Sequence, residues 1–194
     1  MPSRSDIRSR LRQQRRALSA EARLLSARQV AQQLVASPVF RAARRIAFYW
    51  PSDGEIDVLP VLQYAWACGK TCYLPVLWRC NRLGFAVCRT GGALTLNRFG
   101  IPEPVLPVRQ LVSALALDLV LLPLVGFDAQ GYRLGMGAGF YDRTLAHRSR
   151  GLRWRRPRLV GVAYDFQQVP NIVPAPWDVP LDAVVTPIQW HVPR

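Results

Sequence analysis

The chain has 194 residues, half of them apolar, and carries a formal net charge of +14. That length and apolar share suit one folded domain and exclude an intrinsically disordered chain. No apolar run approaches the roughly eighteen residues that a membrane span needs, and the arginine-rich start lacks the apolar core of a secretory signal, so a cytoplasmic protein is expected. Lys70 is the only lysine, so nearly all the positive charge is arginine. Such a balance favours anionic partners: phosphates, polycarboxylates or nucleic acid. Cys68, Cys72, Cys80 and Cys88 form no C-x-x-C pair and neither histidine is near them. Reduced, partly buried thiols are expected rather than a zinc site.

In chain order, apolar residues spaced by three, four or seven predict a helix or helix pair from Ser5 to about Ser37, with Ser19 as the N-cap of the second part. Its polar face holds Arg4, Arg8, Arg10, Arg12, Arg15 and Arg16. That face is either solvated or lends one or two arginines to a polyphosphate, whose oxygens the planar guanidinium fork binds in pairs. Arg45 to Trp50 reads as a buried strand, residues 51–55 as a loop and Ile56 to Cys68 as a helix. Asp57 is expected to cap that helix, and Glu55 to bind donor groups of a substrate. Strands are expected at Thr71 to Leu74, ending at Pro75, and at Leu83 to Val87. Residues 89–96 read as a loop and 99–104 as a proline-stiffened turn, with Phe99 assigned to the core. Leu117 to Leu124 is a strongly apolar strand; Tyr141 to Arg148 a helix; Leu159 to Ala163 a strand; and Leu181 to Thr186 a final strand. Between them lies a run with Arg148, Arg150, Arg153, Arg155, Arg156 and Arg158 around Trp154, read as a solvated loop, with nucleic-acid binding as the alternative. Strands alternating with helices imply a three-layer α/β sandwich with a mostly parallel sheet.

The segment from Asp128 to Arg143 is the densest in glycine: Gly131, Gly135, Gly137 and Gly139 fall within nine residues around Arg133. Glycine permits close backbone approach, and successive N–H groups there suit a phosphate. The Walker pattern fails, because Tyr64 stands where the first glycine before Gly69-Lys70-Thr71 should be. The dinucleotide pattern fails at Phe140, where its third glycine is required.

From Gly131 through Arg133-Leu134-Gly135-Met136-Gly137-Ala138-Gly139-Phe140-Tyr141-Asp142-Arg143 the sequence resembles the 5-formyltetrahydrofolate cyclo-ligase family. The likeness extends over nearly the whole chain, through the basic start, residues 53–56, 69–75, 97–104 and 117–128, to Leu181-Asp182-Ala183-Val184-Val185-Thr186. It implies one domain over 1–194, with 1–37 packed on it, related to the sugar-phosphate isomerase and CoA-transferase group. It implies an ATP- and Mg²⁺-dependent ligase that closes 5-formyltetrahydrofolate to 5,10-methenyltetrahydrofolate, giving ADP and phosphate. Arg4, Arg8 and the run Arg133 to Tyr141 would bind ATP. Trp50, Glu55 and Met136 to Phe140 would face the folate, Arg133 and Tyr141 would act in catalysis, and Asp142 and Asp182 would hold Mg²⁺. The family often has lysine where Arg4 stands; arginine keeps the charge and changes the geometry. The implied partners are small molecules, with no membrane or nucleic acid, and action as a monomer is expected. A basic nucleic-acid-binding protein, or a phosphosugar- or CoA-handling enzyme on the same scaffold, is the competing reading.

Overall fold

A computed structural model describes residues 3–150 and 156–193, with the backbone alone at 149 and 150. The amino-terminal helical stretch is two helices, α1 (Arg4–Arg16) and α2 (Ala20–Ala36). Ser3 and Asp6 close a reciprocal capping box on α1, and the Ser19 hydroxyl accepts from the Ala22 amide at 3.1 Å to open α2. A short α3 (Pro38–Ala42) leads into β1 (Arg45–Ala47). Then follow α4 (Leu59–Ala67), β2 (Thr71–Trp78), β3 (Arg82–Val87), β4 (Leu94–Leu96), β5 (Pro102–Pro104) and β6 (Leu119–Pro123). The remainder comprises β7 (Gly126–Phe127), β8 (Arg133–Leu134), α5 (Phe140–Leu145), β9 (Arg158–Val162), β10 (Ala183–Val185) and β11 (Trp190–His191).

The main sheet has the order β11-β10-β9-β6-β1-β2-β3. Its five inner strands are parallel, and β3 and β11 run antiparallel at the edges. Side chains alternate between two cores, as the pleat requires. Ile46, Leu119, Leu121 and Val185 pack with Val30 and Leu34 of α2 and Val61 and Leu62 of α4. Ala47, Val120, Leu122 and Val184 face the other layer, with Leu145 of α5. The expected three-layer sandwich is therefore present.

Several expected boundaries shift, each for a local reason. β2 runs on through Pro75 to Trp78. Its last bond to the β1 side comes from Phe48 N to Tyr73 O, so the N–H that Pro75 lacks would have met no neighbouring strand there. The stretch read as a loop and stiff turn contains the hairpin β4–β5, where Thr95 pairs with Glu103 between two prolines. α4 starts later than expected, because Pro60 sets its first turn. The apolar strand β6 does not hand over to a helix at once: Gly126–Phe127 and Arg133–Leu134 pair as a small hairpin before the glycines. Leu181 to Thr186 is not the last strand, since β11 folds back on β10.

β1 and β6 are neighbours, but the chain leaves them in opposite directions, to β2 on one side and to β9 and β10 on the other. Such a reversal opens a crevice beyond the carboxyl ends of the two strands, where α/β sheets place ligands. The loop after β1 and the glycine segment after β6 both open into it.

Candidate active site

A cavity of about 560 Å³ occupies this crevice. The loop after β1 forms one wall with Tyr49, Trp50, Ser52, Asp53 and Glu55. The glycine segment forms the facing wall with Gly135, Met136, Ala138, Gly139, Phe140, Tyr141 and Asp142, and Arg133 stands at its base. The hairpin β4–β5 supplies a third side through Asn97, Phe99, Ile101 and Glu103.

The first loop is shaped by its own sequence. Asp53 and Gly54 have φ of 50° and 77°, as the two central residues of an Asp-Gly turn require, and the Glu55 amide donates to Ser52 O at 2.9 Å. The Glu55 carboxylate turns back to accept from the Ser52 amide at 3.1 Å. Burial pushes the Glu55 carboxyl from its ordinary 4.5 up to about 7, against the pull of Arg15 and the Ser52 hydrogen bonds. Asp57, as expected, caps α4 by accepting from the Leu59 amide at 2.8 Å.

In the facing wall, Arg133 is buried, with 6% of its surface exposed. Its guanidinium donates to Val179 O and to Asp142 Oδ1, the latter at 2.6 Å. Gly137 and Gly139 have φ of 104° and 64°, and added Cβ atoms at Gly135 or Gly137 would meet nothing within 4 Å. The loop is thus open toward the cavity rather than packed against protein. Arg8 of α1 reaches across and donates to Gly135 O at 2.8 Å. The Tyr141 hydroxyl is held well above its usual range, first by burial and then by the nearby Glu55 carboxylate.

The expected residues divide on this geometry. Trp50, Glu55, Arg133, Gly135, Met136, Ala138, Gly139, Phe140, Tyr141 and Asp142 meet around one cavity. Arg8 and Gly137 adjoin it through the same loop. Leu134 points the other way, fully buried with Leu11, Val125 and Ile172, so only its backbone belongs to the loop. Arg4 pairs with Asp178 at 3.0 Å rather than lining the cavity. Asp182 departs furthest. It precedes β10, at the amino end of the parallel strands, where its carboxylate accepts from the Leu159 amide at 2.7 Å and pairs with Arg148 at 2.8 Å. Asp182 therefore neither lines the cavity nor pairs with the groups that hold Asp142. Phe99 is not a core residue: it is 54% exposed and its ring meets Phe140 edge-on at 5.9 Å.

A second group went unnoticed in the sequence. Asp53 receives Arg12, Arg15 and Arg16 of α1 at once. Burial alone would raise its pKa, yet those three guanidinium groups hold it well below the carboxylate range. The face of α1 read as basic is therefore a clasp on the cavity loop. Arg12, Arg15 and Arg16 are spaced by three and four residues, which puts them on one side of the helix. In the arginine-dense run, Arg148 and Arg158 pair with Asp182 and Arg156 pairs with Asp118. Arg153, Trp154 and Arg155 lie outside the described residues.

Among the described residues no group of three or more His, Cys, Asp or Glu is placed to hold a metal, and no helix is long and apolar enough to cross a membrane. Mg²⁺ is commonly held by one or two carboxylates together with phosphate oxygens and water. Asp142 fits that pattern: it stands at the cavity wall beside the glycine loop, with Oδ1 in the Arg133 pair.

An open, glycine-built loop flanked by arginines faces a largely apolar chamber that Glu55 and Glu103 also line, at the switch point of a parallel sheet. That combination defines an α/β enzyme with a ligand-sized crevice at its switch point. The model of the 5-formyltetrahydrofolate cyclo-ligase family matches residues 1–187. The 5-formyltetrahydrofolate cyclo-ligase of Escherichia coli K12 is 40% identical over 181 residues, spanning 91% of this chain and 96% of that one. Its namesake from Haemophilus influenzae is 38% identical over 182 residues, spanning 92% and 94%. The solved structure of Aquifex aeolicus 5,10-methenyltetrahydrofolate synthetase has a TM-score of 0.82 at 32% identity and covers 98% of this chain and 93% of that one. The chain belongs to the 5-formyltetrahydrofolate cyclo-ligase family.

Proposed function

We propose that this protein closes the ring of 5-formyltetrahydrofolate to 5,10-methenyltetrahydrofolate, consuming ATP and releasing ADP and phosphate. The observation that carries the reading is the single cavity walled by the glycine segment on one side and by Trp50 and Glu55 on the other. It seats a polyphosphate and a folate ring system face to face. An amide oxygen is a poor leaving group. Transfer of the γ-phosphoryl to the formyl oxygen makes it a phosphate ester and leaves the formyl carbon electrophilic. N10 then attacks that carbon, N10 gives up its proton, and the C–O bond breaks to release phosphate.

The residues around the cavity support a role for each step in this reading. The Gly135 to Gly139 backbone, Arg8 and Arg133 neutralise and orient the phosphates, which is most of what phosphoryl transfer asks of a protein. Asp142 would hold Mg²⁺ against those phosphates, and the ion would neutralise the charge that develops on them. Trp50, Met136 and Phe140 offer apolar and aromatic surface to the pteridine, and the Tyr141 hydroxyl, kept protonated, donates a hydrogen bond in the cavity. Glu55, with a pKa near 7, is the buried carboxylate placed to accept the proton from N10. Arg4, tied to Asp178, acts on ATP only if that pair opens. Action in the cytoplasm, as a monomer, on small molecules alone belongs to the same proposal.

The test is turnover. Purified protein is mixed with 5-formyltetrahydrofolate and Mg-ATP, and the methenyl product is followed by its absorbance beside a control without ATP. ATP-dependent product is expected. Folded protein that binds Mg-ATP and yields none would overturn the reading.

A further inference from the structure

Arg15 is the most deeply buried charge described, with 1% of its surface exposed, and nothing in the ring-closure chemistry requires a cation at that point. It lies three helical turns from Arg4, on the α1 face that also carries Arg8. Its Nε donates to Asp53 O at 2.8 Å, Nη2 to Asp53 Oδ2 at 2.6 Å, and Nη1 to Leu124 O at 3.2 Å. The same Nη1 stands 3.9 Å from Glu55 Oε1. The guanidinium therefore ties together the loops after β1 and after β6, the two that form the crevice. Gly54 sits against the Arg15 backbone, where a Cβ would lie 3.2 Å from Arg15 O, so helix and turn are fitted without slack.

We infer that Arg15 is a positioning residue for the folate half of the site: it fixes the Ser52–Glu55 turn through Asp53 and holds a positive charge beside the Glu55 carboxylate, the group that receives the N10 proton. The inference rests on the proposed ring closure. The surroundings leave this task to Arg15. Asp53, on the same turn, pushes Glu55 toward its neutral form. Tyr49 at the end of β1, Tyr141 in α5 and Tyr164 after β9 face Glu55 as neutral hydroxyls, each with its pKa raised by burial. Asp57 is negative, and Arg12 and Arg16 are spent on Asp53. Arg133 lines the same cavity but is engaged by Asp142. Arg15 is the cation whose attraction offsets the burial of Glu55.

The test compares Arg15→Met with Arg15→Lys. With the charge removed, the acid limb of kcat/KM for 5-formyltetrahydrofolate should move up by about one pH unit. Lysine keeps the charge but loses the fork. Its acid limb should stay in place, while KM for the folate rises about fivefold or more and KM for ATP stays within about twofold. A carbon-13 NMR titration of Glu55 should show the same upward move in Arg15→Met without any turnover. Unchanged titration and pH limb in Arg15→Met, with only a lower Tm, would reduce Arg15 to a structural role and overturn the inference. If Arg15→Met does not fold, Arg15→Lys decides: equal increases in both KM values overturn it. Absence of ring closure by the wild-type protein defeats the activity reading instead, and the NMR titration still judges the link between Arg15 and Glu55.

Discussion

Arg133 and Asp142 grip each other at 2.6 Å across the mouth of the glycine loop, and the same Asp142 oxygen accepts from the Val179 amide at 3.3 Å. Arg133 in turn donates to Val179 O. The two ends of one loop and the distant Val179 are thus closed around one carboxylate. The loop between Arg133 and Asp142 is held at both feet, while Gly135 and Gly137 have open space beside them.

Asp142→Asn keeps an oxygen for Arg133 and Val179 but loses the charge. It should still fold, with a Tm lowered by about 2–10 °C, because the buried Arg133 loses its counter-charge. Turnover should fall about 100-fold or more, with a higher Mg²⁺ requirement, since charge neutralisation at the phosphates is lost. Near-normal rates at ordinary Mg²⁺ would remove Asp142 from the metal site.

The glycines of this segment should separate by role. Gly131 has φ of 83°, and a Cβ there would stand 2.6 Å from Pro193 Cγ and 2.9 Å from Leu181 O. Gly131→Ala should cost roughly 2–3 kcal/mol in urea unfolding, from backbone strain and overpacking, with ATP affinity of the folded fraction preserved. A Cβ at Gly135 meets nothing within 4 Å. Gly135→Ala should unfold as wild type does, yet raise KM for ATP about tenfold by filling space meant for ligand. The reverse pattern would mean that Gly135 is structural.

How far the sequence disclosed all this depends on range. The sheet and its layers followed from local apolar runs such as Leu119–Pro123, because alternation and turn residues act over a few positions. The helix break was legible at Ser19 for the same reason. The glycine segment and Glu55 were found by motif, and the fold does bring them together. What stayed hidden depended on distant pairing. Nothing near Asp53 announces three arginines about 40 residues away, and nothing near Asp182 says that its partner strands turn it to the amino end of the sheet. Prolines disguised β5, because a three-residue edge strand needs few of the N–H groups that proline lacks.

Glu55→Gln should remove the part of the pH dependence of stability that Glu55 supplies. The folded state holds the Glu55 proton up to about pH 7, against an ordinary value of 4.5. A raised carboxyl pKa means that the folded state binds the proton more tightly than the unfolded chain does. Its contribution is full below about pH 4.5 and is lost as pH rises through 7. Glutamine imitates the neutral form at every pH. The variant should be more stable than wild type by about 1–3 kcal/mol at pH 8, with the gap closing toward pH 5, and should be impaired in ring closure. Urea unfolding at the two pH values measures this. A variant less stable than wild type at pH 8 would show that Arg15 compensates the carboxylate fully.

Asp182 offers the sharpest contrast with Asp142, because the family resemblance implies one metal role for both, yet only Asp142 lines the cavity. Asp182 accepts from the Leu159 amide and pairs with Arg148 and Arg158, so its negative charge pins β9 to β10 and to the segment after α5. Removing its charge takes from the largely buried Arg148 a counter-charge at 2.8 Å. Asp182→Asn should therefore cost about 1–3 kcal/mol in urea unfolding, the range for charged hydrogen bonds of limited exposure. Its dependence of rate on Mg²⁺ concentration should overlay that of the wild type. A shifted Mg²⁺ dependence with unchanged stability would return Asp182 to the metal site, and would require the amino end of β10 to reach the cavity in the working enzyme.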